Sequence, residues 1–344
     1  MRQLRLPSLK TEQFAVWANT GQRKPTRRFF VATSGYESRS SALIREVMRQ
    51  SDRFKKDNFL VAGFADLEDK LSRPENDDFY HKAGLKITKC GSSREVSFID
   101  AFANRLSETI EALTSDERLE IHIDYSCMPR HWYCRLPQIL EEKLRTFDRA
   151  FFWYTPGLYT DPIYPTAGTS DFHVFSGRAS LSAKFRTHLF GLGFDRVRSQ
   201  AIWSVLDPRN LVCFYGDPAV FPSYVERVRS DNREVLDAAS FVFTVPVSDF
   251  AKAFSGIRSA VFQFRQLGDI VIVPDGPKPL IFASSLVPLT LDEPSGVVCF
   301  HVSKRKMEGF TPVDVPAAGE AVGFSIGSRQ SVASTERDND QASI

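Results

Sequence analysis

The stretch FFVATSGYESRSSALIREVMRQ, Phe29 to Gln50, reads as a strand, a turn at one glycine and a helix. Its first residues form a nearly continuous apolar run, the pattern of a parallel strand covered on both faces. Ala42, Leu43, Val47 and Met48 then recur on roughly one side at helical spacing. Gly35, between the two, allows a sharp turn and close backbone approach. This is the opening of an α/β unit, and the chain repeats its rhythm.

NFLVAGFAD (58–66), GLKITKCG (84–91), RLEIHIDYS (118–126) and RAFFWYTPG (149–157) read as further strands, the last ended by Pro156 and Gly157. Between them, Phe98, Phe102, Leu106, Ile110 and Leu113 mark an amphipathic helix, and LPQILEEKLRTF (136–147) another. LSRPENDDFYHKAG (71–84) is polar and reads as a loop with a short helix. Residues 161–205 are less regular. The rhythm then restarts with RNLVCFYGDP (209–218), SFVFTVPVSD (240–249), GDIVIVPDGPKPLIFASSLVPL (268–289) and SGVVCFHVSKR (295–305), with helices between, one of them broken near Ser230. Strands alternating with helices predict parallel sheets flanked on both faces. The fold class expected is therefore α/β: two Rossmann-like three-layer halves with mostly parallel sheets. The expected organisation is an N-terminal arm at 1–26, docking through Phe14 and Trp17, a first domain at 27–160 and a crossover at 161–205. A second domain at 206–305 and a polar, flexible tail at 306–344 complete it.

Composition bounds the function. The chain has 344 residues and a formal net charge of +2, which argues against a uniformly basic nucleic-acid platform. GQRKPTRRFF and RVRSDNR are basic, but no zinc finger or RNP-like motif accompanies them. The five cysteines, Cys90, Cys127, Cys134, Cys213 and Cys299, are widely spaced, as free thiols in a reducing compartment are. The N-terminus lacks the sustained apolar stretch of a signal peptide, and no run approaches the roughly 18 apolar residues of a membrane span. A cytoplasmic protein with no membrane partner is expected.

Ligands of open α/β sheets bind outside the carboxyl ends of the strands. That rule selects Gly35–Arg39, Phe64–Asp66, Asp124–Arg130 and Thr155–Tyr159. Gly35 opens a helix whose free N–H groups and positive dipole end suit an anion, and Ser38 adds a hydroxyl. The stretch is neither G-x-G-x-x-G nor G-x-x-x-x-G-K-[ST]. Glu37 suits the helix dipole; Arg39 opposes it and needs an anionic ligand or an ion pair. In HIDYSCMPRHWY (122–133), Asp124 ends a strand and Ser126 and Arg130 follow. Asp124 fits a general base, a group orienting water, a ribose-hydroxyl acceptor or a partner of Arg130. Arg39 and Arg130 together fit a phosphate or carboxylate. In the second half, Asp217 ends a strand and Lys278 precedes an apolar helix; both are expected to close the same interdomain cleft.

The histidines are scattered, with no H-E-x-x-H and no zinc spacing. The cofactor is open; Glu37, Asp66 and Asp124 are the acids that could assemble around Mg2+. SGYESR is not the G-x-S-x-G of serine hydrolases. Cys127, at a strand-to-helix junction beside Arg130 and His131, is a second-rank nucleophile. The expected function is binding of a nucleotide-like or other anionic small molecule in the cleft, as a sensor or regulatory subunit. One alternative is a nucleotide-processing hydrolase that cleaves a glycosyl or phosphoester bond with Glu37 and Asp124 as its catalytic pair. The other is a structural or adaptor subunit, working with a protein partner or as a homo-oligomer.

Overall fold

A computed structural model describes residues 10–13, 26–50, 58–65, 68–91, 95–145, 147–159, 169–180, 185–291, 296–304 and 312–327. In chain order they form β1 (Lys10–Gln13), β2 (Thr26–Ser34), a 3-10 turn (Ser38–Ser41) running into α1 (Ala42–Gln50), β3 (Phe59–Phe64), α2 (Arg73–Lys82), β4 (Ile87–Cys90), α3 (Glu95–Glu111), β5 (Arg118–Asp124), α4 (Arg130–Lys143) and β6 (Arg149–Tyr154). Then follow β7 (Thr169–Arg178), β8 (Arg186–Gly191), α5 (Arg196–Leu206), β9 (Asn210–Gly216), α6 (Pro222–Asp231), α7 (Arg233–Asp237), β10 (Phe241–Val245), α8 (Phe250–Arg265), β11 (Asp269–Pro274), α9 (Lys278–Leu286), β12 (Val297–Lys304) and β13 (Val322–Gly327).

The chain divides into two units, Arg5–Tyr159 with Pro312–Ile344, and Met1–Leu4 with Thr160–Thr311. We call them the N-terminal and the second unit. The N-terminal unit holds a seven-stranded sheet in the order β1-β13-β6-β5-β2-β3-β4. Strands β2 to β6 run parallel, and β13 and β1 extend the β6 edge antiparallel to their neighbours. The second unit holds a six-stranded sheet, β10-β9-β8-β11-β12-β7, parallel except for β7. Both follow one plan. The first parallel strand, β2 or β8, lies in the middle; two strands follow on one side and two on the other, beyond which an antiparallel strand is added. The expected α/β class with mostly parallel sheets is what the protein adopts. Each sheet has a topological switch point, between β2 and β5 and between β8 and β11.

The central strands are buried on both faces, which is why their sequences are continuous apolar runs rather than alternating ones. In the N-terminal unit Phe30, Val61, Phe151 and Trp153 pack against Leu43, Ile44 and Val47 of α1 and Tyr80 of α2. In the second, Phe190, Cys213 and Val273 pack against Ile202, Val228 and Val235. Each fully buried side chain of this kind contributes about 1.5–3 kcal/mol.

Several segments differ from the sequence reading. Residues 161–205 include β7, β8 and α5, so this stretch supplies sheet and helix to the second unit where a crossover was expected. Within 306–344, β13 is an inner strand bonded to both β6 and β1. Within 1–26, β1 is a strand of the same sheet; Phe14 and Trp17 lie outside the described residues, as does Asp66. The polar stretch 71–84 forms the ten-residue helix α2. The break in the helix after β9 falls at Asn232. Among the described residues no helix is long and apolar enough to cross a membrane.

Candidate functional site

The switch point of the N-terminal unit gathers the carboxyl ends of β2 and β5, with β6 beside them. Gly35 leaves β2 under crowded conditions: a Cβ there would lie 3.0 Å from Cε2 of Phe64 and 3.3 Å from Oγ of Ser40. Its own polar groups are engaged. The Gly35 N–H donates to Ser40 Oγ at 2.9 Å and its carbonyl accepts from Asn76 Nδ2 at 3.0 Å. The Ser38 N–H donates to Asp314 Oδ1 at 2.6 Å. Two of the amides expected to cradle an anion, those of Gly35 and Ser38, are thus bonded to protein side chains.

Arg39 is the largest departure from a solvent-facing helix mouth. Its side chain is 1% exposed. Nε donates to Glu37 Oε2 at 2.6 Å, Nη1 to the Thr155 carbonyl at 3.0 Å and Nη2 to Tyr159 Oη at 3.2 Å. The rings of Tyr154 and Tyr159 flank the guanidinium, each centroid 5.7 Å from Cζ. Burial, the largest single influence, works against the Arg39 charge. The Glu37 carboxylate, with Tyr154, Tyr159 and Cys127 behind it, outweighs burial and raises the Arg39 pKa. Burial likewise pushes the Tyr159 hydroxyl up, so it stays protonated. Of the two reasons the sequence allowed for Arg39, the ion pair is the one present.

Glu37 is the reverse case. One oxygen, Oε2, accepts from Arg39 and lies 3.6 Å from Cys127 Sγ. Its side chain is 17% exposed. Among the described residues, the other oxygen takes no hydrogen bond. A buried guanidinium therefore clamps one edge of this carboxylate while the other edge is left open. Cys127 is half-buried, whereas the other four cysteines are buried.

Asp124, buried at the end of β5, accepts at Oδ1 from both the N–H and Oγ of Ser126. Ser126 Oγ in turn accepts from the Thr155 N–H at 2.8 Å. Both sides of Thr155, which follows β6, are thus held, its N–H by Ser126 and its carbonyl by Arg39. Arg130 is the first residue of α4, after Pro129 at the N-cap, whose side chain makes no cap bond. Its side chain is half-buried.

The structure brings Gly35, Glu37, Ser38, Arg39, Asp124, Ser126 and Arg130 to one edge of one sheet. Asp217 and Lys278 belong to the other unit. Asp217 follows β9, donating its N–H to the Val245 carbonyl at 2.9 Å and pairing with Arg229 at 3.7 Å. Lys278 opens α9 after Pro277.

Sequence reasoning missed Asn76. This buried residue of α2 donates from Nδ2 to the carbonyls of Gly35 and Glu37, each at 3.0 Å, and accepts at Oδ1 from Ser41. The signal was a helical face built from polar residues: Arg73, Asn76 and Tyr80, all buried, are spaced three and four apart. Among the described residues no group of three or more His, Cys, Asp or Glu is placed to hold a metal ion. No protein-family model matches the chain, and no curated protein matches it either.

Proposed function

We propose that the N-terminal unit binds a small polar ligand of the nucleotide class at the carboxyl ends of β2 and β5, with Glu37 as the main acceptor. The observation that carries this reading is the half-clamped carboxylate. Arg39 fixes Glu37 from the inside, so its open edge is preorganised and loses little side-chain freedom on binding. An ionised carboxylate only accepts hydrogen bonds. It suits hydroxyl and amino donors, which the ribose and base of a nucleotide supply. The location supports the reading, since sheets of this order bind ligands at the switch point. The anionic end of the ligand is assigned to Arg130 and the first turn of α4, where a guanidinium and a helix dipole act together.

The role assigned is sensing. Arg39 links Glu37 to the Thr155 carbonyl, and Ser126 links the Thr155 N–H to Asp124. A ligand that loads Glu37 therefore pulls on the end of β6. Thermal unfolding with AMP, ATP, NAD+ and inorganic phosphate tests the reading. At least one nucleotide should raise the melting temperature of the wild type and leave Glu37→Gln unmoved; a hundredfold excess over Kd is worth about 2.7 kcal/mol. No shift of the wild type with any nucleotide overturns it.

A further inference from the structure

We propose that the protein builds one polar frame twice and that only the N-terminal copy is open to a ligand, because Glu37 has taken over a task that Asp275 performs in the second unit. This rests on the nucleotide-class reading of the N-terminal unit.

The correspondence is element by element. In each unit a buried asparagine, following the second parallel strand, ties down the turn after the first. Asn76 Nδ2 donates to the Gly35 carbonyl at 3.0 Å, and Asn232 Nδ2 donates to the Gly193 carbonyl at 2.8 Å. A buried arginine following the first strand donates to a carbonyl of the fifth: Arg39 to Thr155, just past β6, and Arg198 to Val302, within β12. An aspartate stands at the carboxyl end of the fourth strand, Asp124 as the last residue of β5 and Asp275 directly after β11. The following helix opens with proline at the N-cap and a basic residue first, Pro129–Arg130 and Pro277–Lys278.

The copies part at the acid that neutralises the arginine. In the second unit Asp275 pairs with Arg198 at 3.1 Å, both side chains at most 4% exposed. The pair is buried on both sides. In the N-terminal unit the acid comes instead from the strand-to-helix turn: Glu37 pairs with Arg39 and remains 17% exposed. Asp124 is thereby engaged elsewhere, accepting from Ser126. Moving the acid by one strand converts a sealed ion pair into one with an open edge.

Packing at the two switch points agrees. A Cβ on Gly193 would fall 2.6 Å from Gly276 Cα and 2.9 Å from Gly276 N, so the turns after β8 and β11 press backbone on backbone. The three atoms nearest a Cβ on Gly35 would all belong to side chains, of Phe64, Ser40 and Cys127, at 3.0, 3.3 and 3.7 Å. Side chains rotate away from an entering ligand; two apposed main chains do not. The frame residues Arg39, Asn76, Arg198 and Asn232 are then positioning residues, and Glu37 determines what binds.

Isothermal titration of the full chain with AMP, ATP and NAD+ tests this. The expected result is one ligand per chain, at least tenfold weaker binding in Glu37→Gln, and binding within twofold of wild type in Asp275→Asn and Lys278→Gln. Lys278→Gln covers the case in which Asp275→Asn fails to fold. Cys127 alkylation gives an independent readout: bound nucleotide should slow it in wild type and in Lys278→Gln alike. Two ligands per chain, or loss of binding in folded Lys278→Gln, overturns the single-site assignment and leaves nucleotide binding standing. No binding to the wild type overturns both.

Discussion

Replacing Arg39 by methionine should destabilise the protein more than replacing Arg39 and Glu37 together. The single change removes three donor contacts: to Glu37 at 2.6 Å, the Thr155 carbonyl at 3.0 Å and Tyr159 at 3.2 Å. It leaves a carboxylate that is 17% exposed without its counter-ion. Removing one partner of a buried ion pair costs about 3–5 kcal/mol, most of it from the charge left behind. Partial access of water to Glu37 places the value near the lower end, and the orphaned Thr155 carbonyl adds about 1 kcal/mol. The total, about 4 kcal/mol, is a large share of a typical folding stability of 5–15 kcal/mol. In Arg39→Met/Glu37→Gln no charge is stranded, and only the Thr155 and Tyr159 groups lose a partner, so about 1–2 kcal/mol is expected. Urea unfolding followed by tryptophan fluorescence measures this. A Trp17→Phe/Trp203→Phe background confines the signal to Trp132 and Trp153, both buried in the N-terminal unit. Arg39→Met within 0.5 kcal/mol of its parent, or a double variant less stable than Arg39→Met, would refute the clamp.

Gly157→Ala should cost about 1–3 kcal/mol by overpacking, because the added methyl would meet Val315 and come 2.6 Å from Arg39 Nη1; it should also weaken nucleotide binding by displacing the clamp, checked by unfolding and titration on the same sample. Cys127 should be the first thiol modified by iodoacetamide in the native protein, since the other four are buried; peptide mapping that finds another cysteine first contradicts the placement. Stability should fall as the pH drops below neutral. Burial pushes the imidazole of His122 down from its ordinary 6.5, so its share is present above 6.5 and is lost below it as the unfolded chain takes up the proton. Burial works to raise the Glu120 pKa, but His122 and Arg118 outweigh it and hold the carboxyl at about 2, below its ordinary 4.5. Its share is therefore present above 4.5 and lost between 4.5 and about 2. Urea midpoints at pH 8, 6, 5 and 4 should decline, and Glu120→Gln should flatten the limb below 4.5.

Much of the fold was legible because the central strands are buried on both faces and so write themselves as apolar runs. What escaped depends on distant partners. β13 is six residues with glycine at either end region, and it becomes an inner strand only because β6 and β1 flank it. β7 is mostly polar, with Phe172, Val174 and Phe175 its only large apolar residues, and it lies inside a stretch with no helical period to frame it. α2 hid because two of the three residues on its buried face, Arg73 and Asn76, are polar and bond main-chain carbonyls at the ends of β3 and β2, leaving Tyr80 as the one that enters the apolar core. At the candidate site, the strand-end rule picked residues that the fold gathers at the carboxyl ends of β2 and β5, but it also picked Asp217 and Lys278, which belong to the second unit. It did not separate a guanidinium turned inward from one facing a ligand. That distinction rests on the Thr155 carbonyl and Tyr159 hydroxyl, which lie 116 and 120 residues from Arg39 in the chain.

The central claim is that Glu37, held from within by Arg39, receives a nucleotide-class ligand. Its most direct test is native mass spectrometry of freshly purified wild-type protein and Glu37→Gln, followed by denaturation and identification of any released small molecule. The account predicts a nucleoside-containing species on the wild type, after addition of the nucleotide panel if not as purified, and its absence from Glu37→Gln. Equal occupancy of the two proteins, or a wild type that stays at its bare mass throughout, would contradict it.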